Sequence, residues 1–166
     1  MRNRVAEAGE LTRGIDSTLI TGEAFGTDSG GARNHGQLVS QAHALDPAEP
    51  YAALWLDILG RRGRLPSQMA KATEKVDMAK WPAPVIKLFL GELTTEAALA
   101  AADHADAKTK RGQVCEVNFY AGEIALLGGA KPDAARLFKL AAQECPSTWI
   151  EREAANAELT ALATVP

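Results

Sequence analysis

Three side chains that could hold a divalent ion stand together in "ADHAD" at 102–106, where Asp103 and Asp106 flank His104. A closed transition-metal site draws three or four ligands from more than one structural element, and this stretch is a single short connector between two helices. It therefore reads as solvated loop, and no metal is assigned to it. His35 and His43, eight residues apart, read the same way. The chain carries no G-x-S-x-G, H-E-x-x-H or phosphate-binding glycine pattern, so neither catalytic residues nor a cofactor are expected.

A second constellation suits binding rather than bond breaking. Glu116, Phe119, Glu123 and Leu126 are spaced by three, four and three residues, which places them on one helix face. Such an acidic and apolar stripe holds a partner segment if it lines a concave surface. Buried against a neighbouring helix, or solvated, it would bind nothing. Tyr51 and Trp55, on an earlier helix, either extend this groove or belong to the core.

The elements that must position these residues are all helical. Residues 1–35 mix Gly, Ser, Thr, Asp and Asn without sustained period, as in "ITGEAFGTDSGGARNHG", and are expected to be disordered or weakly ordered. From residue 36 to 163, Ala- and Leu-rich segments alternate with Pro and Gly and show almost no β-branched alternation. The punctuation predicts seven or eight short helices. Pro50 is pre-set for a first helical turn, Gly91 can end "PAPVIKLFLG", and Thr94 can cap "TEAALAAAD". "PSQMAKATEKVDMAK" at 66–80 is read as helix, and Thr148 with Glu151 as a capping box.

The chain has 166 residues, 46% of them hydrophobic and 23% charged, which is one modest globular domain or one short array. A net charge of −3 argues against counterion-release binding to nucleic acid. The basic clusters "RRGR" at 61–64 and "KTKR" at 108–111 are short, and are expected to complement helix ends or stay solvated. No apolar run approaches the roughly 20 residues of a transmembrane helix. The N-terminus lacks the apolar core of a secretory signal, so the literal expectation is a cytoplasmic protein.

Helix pairs of this kind have to be tested for repeats. Gly122, then Ala134 and Phe138 with three residues between, then Ala141 and Pro146, match the spacing of a tetratricopeptide (TPR) hairpin. Gly122 and Ala134 let two helix backbones approach, Phe138 fills the space beside the crossing, and Pro146 ends the unit. Asn118, Ala121 and Ala125 depart from the pattern, which prefers bulk there. Pro47 precedes Pro146 by 99 residues, close to three repeat lengths, and 147–163 would be a capping helix. The fold class is thus all-α, a TPR-like helical-hairpin solenoid. An antiparallel hairpin would also bring Cys115 and Cys145 to one end, within bonding distance in an oxidising compartment.

"WPAPVIKLFLGELTTEAALAAA" and "CEVNFYAGEIALLGGAKPDAARLFKLAAQECPSTWIEREAANAEL" resemble the C-terminal half of bacterial TPR lipoproteins of the NlpI type. The resemblance rests on Trp81, Val85, Phe89, Leu90 and Gly91, on Asn118, Phe119, Tyr120 and Gly122, and on Ala134, Leu137, Phe138, Lys139 and Ala141. Glu158 and Leu159 mark the closing helix; the lipoprotein signal and its acylated cysteine are absent from this sequence. The resemblance implies a non-enzymatic scaffold in the periplasm or cell envelope that binds proteases and peptidoglycan hydrolases. The expected partner is a protein or peptide seated in the concave groove. Self-association through an apolar edge at Leu38, Val39 and Leu45 is a further expectation. The alternative function is a hydrolase of unrecognised type using the acidic and histidine cluster.

Overall fold

The computed structural model describes residues 40–41, 43–44 and 46–164; the expectations for residues 1–35, His35, Leu38, Val39 and Leu45 lie outside this set. From Pro50 onward the described residues form seven helices and no strand. These are α1 (Pro50–Arg62), α2 (Met69–Ala72), α3 (Ala83–Phe89), α4 (Thr95–Ala101), α5 (Ala107–Leu127), α6 (Lys131–Glu144) and α7 (Ile150–Thr164).

Local chemistry sets most of the helix ends. Pro50 opens α1, and the Glu49 carboxylate accepts the Ala52 N–H at 2.6 Å. Thr94 caps α4 by accepting the Ala97 N–H at 3.2 Å. Gly91 follows α3 at φ 74° and Gly129 follows α5 at φ 79°, and the crossed backbone bonds around each glycine form Schellman turns. Arg64 occupies the equivalent left-handed position after α1, at φ 62°.

Two expected boundaries differ. Only Met69–Ala72 of the 66–80 segment is helical. Val76 and Met78, two residues apart, both pack against the core, and residues so spaced cannot share a helix face. Thr73 ends α2 with its hydroxyl on the Met69 carbonyl at 2.8 Å, and Asp77 takes the Ala79 N–H at 3.1 Å to shape the next turn. At the other end of the chain α7 starts at Ile150, so Thr148 lies outside it, and Glu151 turns inward instead of closing a capping box.

Asp57 on α1 anchors the connection to α2. Its buried carboxylate accepts the Ser67 hydroxyl at 2.6 Å, the Gln68 N–H at 2.7 Å and the Met69 N–H at 3.1 Å. Asp57→Ala would leave these donors without their acceptor inside the fold. The expected loss is about 2–3 kcal/mol, read from urea midpoints.

α5 is the axis of the domain. Every residue from Cys115 to Glu123 is buried, so the helix is covered all round rather than along one stripe. α6 runs back along it, and the crossing is tight: a methyl on Gly122 would meet Phe138 Cε1 at 2.7 Å. Phe138 is fully buried and packs on Phe119, with ring centroids 6.0 Å apart, so it has little room to retreat. Gly122→Ala gains about 1 kcal/mol of helix propensity. Overpacking costs typically 1–3 kcal/mol, so the variant is expected to be less stable by up to about 2 kcal/mol. A melting temperature at or above that of wild type would show that the ring moves freely.

The sulfurs of Cys115 and Cys145 are bonded, with Cα atoms 4.9 Å apart, and both residues are buried. The bond ties α5 to the end of α6 across 30 residues. Its reduction is expected to cost about 3.5 kcal/mol in the chain-entropy model. Thiol titration of unreduced, denatured protein from its native host should find no free thiol; two thiols would show that the pair is not oxidised in that host.

Candidate functional site

The cavity that marks a candidate site lies where the start of α1, the middle of α5 and the start of α7 meet. It has a volume of about 310 Å³ and is lined by Tyr51 and Trp55 of α1, Glu116 of α5, and Trp149, Ile150 and Glu151 at the head of α7, with Glu49 at its edge. That volume is at the lower end for ligand pockets and suits one large side chain.

Glu116 is the centre of its polar wall. The Tyr51 hydroxyl donates to its carboxylate at 3.1 and 3.2 Å, and the Trp81 indole N–H donates at 2.5 Å. Burial pushes the Glu116 carboxyl up to about 8, and the nearby Glu151 carboxylate adds to the effect. The Trp81 and Tyr51 hydrogen bonds oppose it without offsetting it. Glu151 is also held above the usual range by burial, although the Tyr120 hydroxyl donates to it at 3.4 Å. Glu49 is raised by burial too, against the backbone N–H groups it caps. Burial and the neighbouring carboxylates push the phenols of Tyr51 and Tyr120 upward, so both remain hydrogen-bond donors.

Behind this wall is an aromatic cluster. Trp55 lies 5.6 Å from Phe119 and 6.1 Å from Tyr120 between centroids, and Phe89 meets Tyr120 edge-on at 6.0 Å. These rings fix Trp55 and Tyr120 by packing, which makes the cavity a preformed feature of the core edge.

The expected groove therefore divides. Glu116, Tyr51 and Trp55 are brought together on the cavity. Phe119 and Glu123 are fully buried, and Leu126 is half-buried against the core. The physical reason is the position of α5: with helices on all sides it has no free concave face. Glu123 sits in an ion-paired cluster, with Arg62 Nη2 at 2.5 Å from its carboxylate and Arg62 Nη1 at 2.7 Å from Glu158. Arg62, expected to complement a helix end or stay solvated, does stand in the last turn of α1 but is not solvated. It lies inside instead, because two buried carboxylates from α5 and α7 converge on it.

Periodicity gives Glu49, Glu151, Trp149, Trp81 and Glu158 no place at this site: Glu151 reads as a capping partner, and Trp81 and Glu158 as marks of the family resemblance. A signal was present: Glu116 and Glu123 are seven residues apart, and so are Glu151 and Glu158, two helical turns in each case. The "ADHAD" residues are connectors. Asp106 caps α5 through the Thr109 N–H at 2.7 Å, Asp103 pairs with Lys110 at 2.7 Å, and His104 Nδ1 accepts the Asp106 N–H at 3.0 Å. Among the described residues no group of three His, Cys, Asp or Glu side chains is arranged to hold a metal ion. His43 is half-buried, and burial lowers its pKa. In the other basic cluster, Arg111 donates to the Gln143 and Glu144 carbonyls at the C-terminus of α6, which complements that helix end. No described helix is long and apolar enough to cross a membrane. No protein-family model matches the chain.

Proposed function

We propose that the chain is a non-enzymatic protein-binding module, a TPR-like stack of helical hairpins whose cavity receives an anchor side chain of a partner protein. The observation that carries this reading is the make-up of the cavity, in which Tyr51, Trp55 and Trp149 stand beside carboxylates from three elements. Tyrosine and tryptophan walls around a desolvated pocket are the usual setting of binding hot spots. The close approach of Gly122 to Phe138, with Ala134 buried one turn earlier on α6, supports the TPR-like part of the proposal, since the repeat spacing calls for small residues and a large ring at such positions. The Cys115–Cys145 bond favours an oxidising compartment, in keeping with the resemblance to envelope lipoproteins.

The test is site-specific crosslinking in the producing cells. A photo-reactive residue at Ile150, on the cavity, is expected to give a discrete adduct with a partner, and the same residue at the exposed Lys139 of α6 is expected to give none. Absence of an adduct at Ile150, or an identical pattern from both positions, would remove the reading. A second reading, a hydrolase, draws on Glu116, whose carboxyl is raised to about 8 beside Glu151 and so holds the proton a general acid needs. Hydrolysis of a peptide or cell-wall substrate that is abolished by Glu116→Gln in a folded protein would favour it.

A further inference from the structure

The carboxylates that α5 and α7 turn inward come in two layers. Glu116 and Glu151 form the layer at the cavity; Glu123 and Glu158, seven residues on along each helix, form the layer below it. Seven residues advance a helix by about 10 Å and return to nearly the same face. The lower layer is filled by Arg62, whose Nη2 and Nη1 reach one carboxylate each, at 2.5 and 2.7 Å. In the upper layer the polar neighbours are neutral donors: the Tyr51 hydroxyl from α1, the Trp81 indole from the turn before α3, and the Tyr120 hydroxyl from α5 itself. Among the described residues the ionisable groups that bear on it are all acidic, namely Glu49, Glu116 and Glu151, with Asp46 acting on Glu49. Buried carboxylates are costly without a cation, and the same protein supplies one where the layer is closed to the outside.

We propose that the cavity is a receptor for an arginine side chain of a partner protein, its guanidinium entering between Glu116 and Glu151 as the chain's own Arg62 enters between Glu123 and Glu158. This rests on the protein-binding reading above and names the anchor's chemistry. A guanidinium fits better than an ammonium for two reasons. Its planar fork can address two carboxylates at once, and its face stacks on aromatic rings, which Tyr51, Trp55 and Trp149 provide. Ile150 gives the apolar contact that the arginine stem requires.

The three tryptophans of the chain all report on this place: Trp55 and Trp149 line it, and Trp81 donates to Glu116. Titrating the full chain with a blocked Gly-Arg-Gly peptide should change tryptophan fluorescence saturably. The citrulline peptide, equal in shape and uncharged, should bind at least tenfold more weakly, and the lysine peptide should also bind more weakly. Glu151→Gln and Glu116→Gln should each weaken the arginine peptide about tenfold. Affinity should rise between pH 6 and pH 8, because the bound guanidinium drives a proton off Glu116. A citrulline peptide that binds as well as arginine, or no saturation at millimolar peptide, would overturn the proposal; a lysine peptide of equal affinity would overturn the choice of guanidinium. In each of these cases an adduct at Ile150 leaves the binding reading standing, and its absence removes both together.

Discussion

Replacing Arg62 with methionine is expected to destabilise the protein by about 3–5 kcal/mol at neutral pH, the range found when one partner of a buried ion cluster is removed. Glu123 is fully buried and Glu158 is 2% exposed, so the variant leaves two carboxylates without the guanidinium that reaches both. The damage should be smaller at pH 5. Glu123 is already held above the usual carboxylate range, because its burial and the adjacent Glu158 outweigh the pull of Arg62, and without Arg62 it takes up a proton still more readily. Substituting all three residues together, as Arg62→Met, Glu123→Leu and Glu158→Leu, is expected to return stability to near the wild-type value, since a well-packed apolar replacement removes the desolvation cost as well as the attraction. Urea denaturation at pH 5 and pH 7.5 measures all of this. A single variant that loses less than about 1 kcal/mol at pH 7.5 would show that the guanidinium does not hold the layer together.

Stability should fall as the pH rises from 5 to 8, the opposite of the usual behaviour of ion-paired carboxylates. Glu116 titrates at about 8 in the folded protein and near 4.5 when its environment is lost. Between those values the folded state holds a proton that the unfolded state has released. The contribution is therefore complete below pH 4.5 and disappears as the pH passes through 8. For this one group the change is up to ~5 kcal/mol. Glu49, Glu151 and Glu123 are raised as well and act in the same direction. Glu116→Gln keeps an acceptor for Trp81 and Tyr51 while removing the titration. The variant should match wild type at pH 5, exceed it at pH 8, and show a shallower slope between them. Parallel wild-type and variant profiles would assign the pH dependence to other groups.

Much of the fold was legible because the deciding interactions are local. Pro50, Thr94, Gly91 and Gly129 each act within one helical turn, through a missing N–H, a capping hydroxyl or a left-handed backbone. Gly122, Ala134 and Phe138 could be paired from spacing alone because a short loop forces α5 and α6 to be antiparallel neighbours. The same hairpin brings Cys115 to Cys145. What spacing left open was which side of each helix would be covered. Glu116, Phe119, Glu123 and Leu126 do share a stripe, yet whether that stripe faces solvent depends on chain far away. Tyr51 reaches Glu116 across 65 residues, Trp81 across 35, and Arg62 reaches Glu123 across 61. Periodicity records that a side chain is polar or apolar at a given angle on its own helix. It does not record that a second carboxylate will arrive from α7, that an arginine written like a solvated helix end will be drawn between two of them, or that the first pair will be left facing a cavity. Those outcomes were decided only when the helices packed around α5, because burial and charge pairing are properties of the assembled surfaces and not of any one segment.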